Sequence, residues 1–481
     1  MENIDYLGKE KISKLLLKYS LPCVLSLVIA ALYNIVDQFF IANSYLGSFG
    51  NAANTICYPL TVIALALAVM IGDGCCSFIS IKLGEKKNNE ASHAFIISLI
   101  SISIISIIIT LIYLFLNMHF FDPTKRSYIL ELFGLRDISS TTYDYASTYF
   151  FYITLGIPFY IVGQCLNPII RSDSSPRFAM ITGLVGAIIN IILDPIFIYL
   201  FKWGMMGAAL ATILGQIVTF SLSILYFRKT KVLKITKEGF KFSFRTLGRV
   251  CMLGLCSLLS QISLVFAMST INNMISKYAA SANFVGDLAS IPMAVVGIVM
   301  KFFQIIISIA VGMAAGSIPI IGYNIGSKNY ERVKKIIKEL LLSLFILGII
   351  SFFIIMVFPK GIIKIFGGNN TNTSAEFNEQ YISFGVKCFR IYLSMVILAV
   401  INKGTFIMLQ AMGKAITSTV LSMIREILFG VGFAYILPLI FGFDGILYSM
   451  PVSDILTFII SLIVLIITFK SLNKYITLKN N

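Results

Sequence analysis

Long apolar runs, separated by short polar or basic segments, dominate the chain. The run from Ala94 to Leu116 carries no charged residue and is long enough to cross a hydrocarbon core of about 30 Å as a helix. The runs lack the two-residue alternation that is typical of a membrane β-barrel strand. The pattern therefore predicts an all-α, polytopic membrane protein with twelve transmembrane helices, at residues 20–42, 55–81, 94–116, 147–170, 179–201, 205–227, 250–276, 288–322, 338–358, 384–410, 417–440 and 446–469.

Basic residues concentrate at alternate helix ends. Lys9, Lys11, Lys14 and Lys18 precede the first run, and the longest basic connector extends over residues 228–249. An excess of Lys and Arg marks the cytoplasmic loops of membrane proteins. We therefore expect a multi-pass protein of the cell (inner) membrane with both termini in the cytoplasm.

The two halves of the chain show weak self-similarity. "GMMGAALATILGQIVTF" (Gly204 to Phe220) aligns without gaps to "GFDGILYSMPVSDILTF" (Gly442 to Phe458), and both share paired glycines and a final Thr-Phe. Six helices per half make this a parallel repeat about an axis along the membrane normal. The predicted division is an N-terminal six-helix lobe (1–227), a basic cytoplasmic linker (228–249) and a C-terminal six-helix lobe (250–481). Two such pseudo-symmetric bundles are typical of alternating access.

Composition supports the membrane assignment and argues against other classes. The 481 residues are 58% hydrophobic and 12% charged, whereas a soluble domain carries about 25% charged residues. The net charge of +16 lies mainly in short loops, where it sets topology, so we expect no nucleic-acid partner. The eight cysteines are scattered and are interpreted as small apolar residues, and two histidines argue against a histidine-built metal site.

Two carboxylates interrupt apolar helices in the first half. A charged side chain at the centre of a membrane helix costs about 2.5–3.5 kcal/mol, yet Asp37 and Asp194 lie within predicted helices. Asn190 is one turn before Asp194 on the same helix face, and Pro195 leaves nearby carbonyl groups without a backbone donor. Such an oxygen-rich cluster could hold a proton or Na⁺. The alternative is that these carboxylates only fix helix packing through hydrogen bonds.

Other polar and aromatic residues in the helices are candidates for a substrate cavity. Lys301 lies deep in the eighth helix, and we hypothesise that it lines a cavity of the second half. Arg425 could pair with Glu426, although adjacent residues do not share a helix face, and Lys403 is interpreted as reaching towards the interface. Tyr33 is an aromatic candidate for the same cavity, with helix packing or lipid contact as the alternative.

Three segments resemble the multidrug and toxic compound extrusion (MATE) transporters. They are "LPCVLSLVIAALYNIVDQFFIA" (Leu21 to Ala42), "NIILDPIFIYLFKWGMMGAALATILGQ" (Asn190 to Gln216) and "GMAAGSIPIIGYNIGSKNYERV" (Gly312 to Val333). The resemblance extends over nearly the whole chain and implies the two-lobe, twelve-helix fold of that family. It also implies antiport, in which H⁺ or Na⁺ enters while drugs, often cationic, leave.

The resemblance also implies roles for individual residues. Asp37, Asn190 and Asp194 match the cation-coupling cluster of the family's N-terminal lobe, and Thr212 matches a hydroxyl that joins it. Pro22 matches the position at which the first helix bends. These residues would also hold Na⁺ if Na⁺ is the coupling ion; no other metal is expected.

The sequence departs from the family pattern at two places that concern mechanism. Asp73 interrupts "MIGDGCC", where a glycine or another small residue is expected. No acidic residue occurs between Cys251 and Ser276, in the seventh helix, where Na⁺-coupled relatives often carry one. This absence favours the first-half cluster as the coupling site and H⁺ as the coupling ion.

The leading hypothesis is a cation-coupled antiporter that exports small organic molecules, functions as a monomer in the bilayer, and is neither an enzyme nor dependent on a cofactor. The alternative is a flippase-like exporter of lipid-linked or anionic substrates from the same superfamily. A flippase cavity should be strongly cationic, because Arg suits phosphate, and intramembrane Arg and Lys are few here. A channel would show filter-like backbone motifs, and a nucleotide-driven pump would carry a phosphate-binding Gly-rich loop; neither is seen in the sequence.

Overall fold

Long apolar helices make up the fold of the described residues. The computed structural model describes residues 4–120, 140–234, 240–282, 284, 288, 291–366 and 375–480. Within these residues, eleven helices are long and apolar enough to cross a membrane, and one bent pair makes a twelfth span. The predicted all-α architecture is thereby confirmed. The spans are α1 Ile12–Asn43, α2 Gly47–Gly84, α3 Asn88–Phe120, α4 Ser140–Ser172, α5 Pro176–Leu200, α6 Gly204–Tyr226, α7 Phe244–Tyr278, α8 Ile291–Gly326, α9 Tyr330–Val357, α10 Ala375–Tyr392 with Val396–Ala411, α11 Ala415–Phe441 and α12 Phe443–Asn480.

Three spans depart from a regular α-helix. The sequence predicted α10 as one helix, but it bends by 47° between Tyr392 and Val396. The other two irregular spans, α5 and α11, include π-helical turns at Ile196–Leu200 and Ile424–Val431. The first of these turns directly follows Pro195, whose missing N–H interrupts the regular hydrogen-bond pattern. Single π-helical turns are frequent at functional sites, and both lie beside the buried charges described below.

The start of α1 and the end of α12 lie on the same side, because Arg332 donates to the Leu7 carbonyl and the nearby Lys334 donates to Asn473 of α12. We call this side the terminal face and the opposite side the distal face. A short helix, Tyr6–Lys9, precedes α1 on the terminal face. The Asn324 amide and the Arg332 guanidinium of the second lobe both donate to the carbonyl of Leu7. This short helix is therefore fixed against the opposite lobe.

Helices α1–α6 form the first lobe and α7–α12 the second, and glycines allow the lobes to approach closely. A Cβ atom placed on Gly254 of α7 would overlap the Met70 carbonyl of α2. One placed on Gly316 of α8 would lie 2.5 Å from Ser20 Cα of α1. Small residues at such crossings are typical of membrane helix packing. These close contacts lie in the half of the membrane nearer the terminal face.

Turn geometry supports the internal repeat. Ser174 after α4 and Gly413 after α10 both adopt the left-handed conformation, with φ of 62° and 78°. Aligning these two turns also pairs two hydrogen bonds that connect equivalent positions. One joins the Asn167 amide to the Ala179 carbonyl, and the other joins the Ser418 hydroxyl to the Phe406 carbonyl, each at 2.7 Å. Equivalent positions can therefore be compared between the lobes.

The first part of the predicted linker is attached to the first lobe. The Asp173 carboxylate accepts backbone hydrogen bonds from Lys231, Val232 and Leu233, at 2.8 to 2.9 Å. Residues 235–239 lie outside the described part of the chain. The three-part division at 1–227, 228–249 and 250–481 remains a prediction.

Candidate functional site

A pair of carboxyl groups lies inside the first lobe. Asp37 on α1 and Asp194 on α5 lie next to each other, with their carboxyl groups in contact. Their exposed fractions are only 6% and 0%. Two carboxyl groups this close and this buried cannot both carry a charge without a large cost, so they favour a shared proton or a bound cation.

Amide and hydroxyl groups surround this pair. The Asn190 amide nitrogen lies 3.3 Å from both Asp194 Oδ1 and Thr212 Oγ1. Asn54 of α2 donates to Asp37 Oδ2, also at 3.3 Å. The structure thus brings together the four residues assigned to cation coupling and adds Asn54. Sequence reasoning missed Asn54 because an amide near the start of an apolar helix carries no distinguishing signal.

Several buried oxygens of this cluster have no hydrogen-bond partner. They are Oδ1 of Asp37, Oδ2 of Asp194 and Oδ1 of Asn190. A buried acceptor without a donor costs about 1–3 kcal/mol, and here three belong to one group of touching residues. Such a set of oxygens can accept a proton or coordinate a small cation.

A cavity of about 100 Å³ lies next to the cluster, within the first lobe. Asn190, Thr212 and Tyr33 contribute to its wall, as do Gln164 and Gln216. Tyr33 thus lines a cavity beside the carboxylates. Pro22 is buried on the same helix, and α1 continues through it without a break.

Lys301 and Arg425 belong to the second lobe and do not line this cavity. Arg425 of α11 lies 2.7 Å from Glu426 and 2.9 Å from Asp454 of α12. Lys403 of α10 also contacts Glu426, at 2.6 Å. The interpretation that Lys403 reaches towards the interface is therefore wrong, because a buried carboxylate neutralises it within the lobe. We call Lys403, Arg425, Glu426 and Asp454 the four-charge network.

The four-charge network occupies places that correspond to the first-lobe cavity. When the sequence is aligned at the turns of Ser174 and Gly413, Lys403 corresponds to Gln164, and Arg425 and Glu426 correspond to Gly186 and Ala187. The glycine-pair alignment likewise places Asp454 opposite Gln216. All four first-lobe counterparts line the cavity. Small and neutral residues thus line the cavity in one lobe, and paired charges occupy the corresponding positions in the other.

The twelve-span, two-lobed fold with a buried carboxylate pair in one lobe defines a secondary transporter of the membrane. The family model described as MatE matches residues 22–196 and 264–436, one stretch in each lobe. The chain therefore belongs to the MatE family of multidrug and toxic compound extrusion transporters, as its motifs indicated.

Relatives and solved structures agree with this assignment over nearly the whole chain. The multidrug export protein MepA of Staphylococcus saprophyticus is 25% identical over 457 residues, which cover 94% of this chain and 93% of that protein. The solved structure of the MATE multidrug transporter DinF-BH is 29% identical with a TM-score of 0.82, covering 96% of this chain and 97% of that one. A MATE crystal structure in complex with MaL6 is 24% identical with a TM-score of 0.86, covering 98% and 100%.

Proposed function

We propose that this multidrug efflux transporter is a cation-coupled antiporter that exports small organic, often cationic, molecules by alternating access. The observation that supports this most is the contact between the Asp37 and Asp194 carboxyl groups, with buried oxygens that lack partners. A cation that enters from outside would neutralise the pair and would leave on the opposite side. Charge alternation of this kind can drive the exchange of a cationic substrate.

H⁺ is the favoured coupling ion and Na⁺ the alternative. Two carboxyl groups in contact are suited to hold one proton between them. Asn190 and Thr212 add oxygen atoms that Na⁺ could use. No further cofactor is part of the proposal.

The flippase-like alternative is less well supported. A cavity for lipid-linked or anionic substrates would need cationic groups available to phosphate. Arg425 and Lys403 are instead matched to the carboxylates of Glu426 and Asp454. Their charge is compensated within the protein, which favours the export of cationic or neutral molecules.

We further propose that the transporter functions as a monomer in the inner membrane, with the terminal face in the cytoplasm. The cluster and cavity lie within one lobe of one chain. Basic residues of the N-terminal segment and of the linker belong to the terminal face, as the positive-inside rule requires of cytoplasmic segments.

Transport in liposomes tests the coupling. Wild-type protein is reconstituted, and the movement of a fluorescent organic cation is followed under a pH gradient without Na⁺, and separately under a Na⁺ gradient at constant pH. We expect the pH gradient to drive transport in the wild type, and the Asp37→Asn variant to lose or uncouple it. The matched control is Asp144→Asn, which neutralises an exposed carboxylate of the same lobe and should transport normally. Gradient-driven transport by Asp37→Asn at the wild-type rate would remove Asp37 from the mechanism.

A further inference from the structure

Asp73 connects the two lobes although the cation cluster does not involve it. It lies on α2 in the first lobe, where its Oδ2 accepts a hydrogen bond from Ser257 Oγ of α7 in the second lobe, at 2.9 Å. Its Oδ1 lies 3.5 Å from a guanidinium nitrogen of Arg171, which is buried in the first lobe. A carboxylate therefore bridges the lobes in the membrane half nearer the terminal face.

Both partners of this bridge have a second partner in their own lobe. Ser257 Oγ lies 3.4 Å from the side-chain amide of Gln410 on α10, and Arg171 remains beside Asp73. When the turns at Ser174 and Gly413 are superposed, Arg171 and Gln410 occupy equivalent positions. Neither Asp73 nor Ser257 would lose all polar partners if the lobes separated. Because an unpartnered buried polar group is costly, this arrangement allows the bridge to break and reform.

We propose that Asp73 and Ser257 form an inter-lobe latch that holds the terminal face closed. When the lobes separate at this face, Ser257 exchanges Asp73 for Gln410, and Asp73 keeps Arg171. These are positioning residues, because they act on the arrangement of the lobes and not on the substrate or the coupling ion.

The helices on both sides of the latch are tightly packed. The adjacent Gly74 lies against the Val250 backbone, and Gly254 lies against the Met70 backbone, so the helices around Asp73 are in close contact. A hydrogen bond to a charged acceptor is stronger than one to a neutral acceptor. Loss of this bond should shift the closed-to-open equilibrium of the terminal face by about tenfold.

Spin-label distances across the terminal face test the latch. Labels at Arg177→Cys and Ile416→Cys occupy exposed, equivalent positions of the two lobes, in a Cys251→Ser background because the other native cysteines are buried. We expect Ser257→Ala to increase the longer-distance population about tenfold over the wild type. The matched control is Ser260→Ala on the same helix, whose hydroxyl contacts Ser422 within the second lobe at 3.1 Å. This control should leave the distances unchanged.

A double-variant comparison identifies the bond itself. Asp73→Asn should also increase the longer-distance population, and adding Ser257→Ala should change it little further, because both substitutions weaken the same contact. A Ser257→Ala distribution equal to that of the wild type would overturn the latch. So would equal shifts in Ser257→Ala and Ser260→Ala, or fully additive shifts in the double variant. These distances are measured without substrate or gradient, so their outcome is independent of the coupling experiment.

Discussion

The buried charged residues of the two lobes differ in how their charge is compensated. In the first lobe, Asp37 and Asp194 have amide partners and each other. In the second lobe, Asp454 and Glu426 contact a guanidinium or ammonium group at 2.6 to 2.9 Å. A carboxylate with neutral partners has no fixed countercharge, whereas each carboxylate of the four-charge network already has a cationic partner. This difference supports the proposal that ions are exchanged in the first lobe.

The four-charge network should be important for stability. Arg425→Met leaves Asp454, which is 2% exposed, without its cationic partner, and removing one member of a buried pair costs about 3–5 kcal/mol. We expect a clear fall in the temperature at which detergent-solubilised protein loses its monodisperse peak on size exclusion.

A surface ion pair provides the control for this prediction. Lys387 contacts Asp444 at 2.6 Å, but the two side chains are 48% and 39% exposed, and such pairs contribute about 0–1 kcal/mol. Lys387→Met should therefore leave the unfolding temperature almost unchanged. Equal losses in the two variants would show that the four-charge network adds no special stability.

Among the helices, the crossing of α2 and α7 depends on the absence of side chains. Gly254 lies against the Met70 carbonyl, whereas a Cβ atom on Gly248 of the same helix would meet nothing within 4 Å. The two glycines thus differ in packing but share a helix. This pair allows the closure of the terminal face to be tested separately from helix propensity.

Gly254→Ala should force α7 away from α2 and open the terminal face, since overpacking a close contact costs about 1–3 kcal/mol. Spin labels at positions 177 and 416 should then report a larger longer-distance population. Gly248→Ala, which adds the same methyl group in open space, should match the unsubstituted protein. Identical distributions for the two variants would contradict a tight crossing at Gly254.

The length of the apolar runs and the free-energy cost of placing charged residues in the membrane were sufficient to predict much of this architecture. They predicted twelve spans, and the spacing of Asn190 and Asp194 predicted one face of the cluster. The bend in α10 was not predictable, because the segment from Tyr392 to Val396 contains neither proline nor glycine. Such a break depends on how the helix packs against its neighbours, and the local sequence does not show that packing.

The four-charge network was predicted only in part: the sequence suggested the pair of Arg425 and Glu426 but not the contacts of Lys403 and Asp454. Its members come from three helices, and contacts between distant helices leave no periodic signal. Arg425 and Glu426 were expected to point to different faces of a helix, but the π-helical turn at Ile424–Val431 and the length of the Arg side chain bring their charged groups to 2.7 Å. The sequence therefore located these charges but identified only one of their pairings.

For the whole molecule, the distribution of basic residues predicts its orientation. Lys474 near the end of α12 is exposed on the terminal face, and Lys202 between α5 and α6 is exposed on the distal face. Because the terminal face carries the larger basic excess, it should be cytoplasmic. A membrane-impermeant thiol reagent should label Lys202→Cys in intact cells and Lys474→Cys only in inside-out vesicles. The reverse pattern would invert the proposed topology.

The ion pairs of the second lobe have a mechanical consequence. Ion pairs connect α10, α11 and α12 of the second lobe, so this lobe should move as a rigid body. The cavity of the first lobe leaves room for the helices of that lobe to deform when an ion binds or dissociates. Changes of internal shape would then be confined to the first lobe, and the second lobe would keep its shape while it moves.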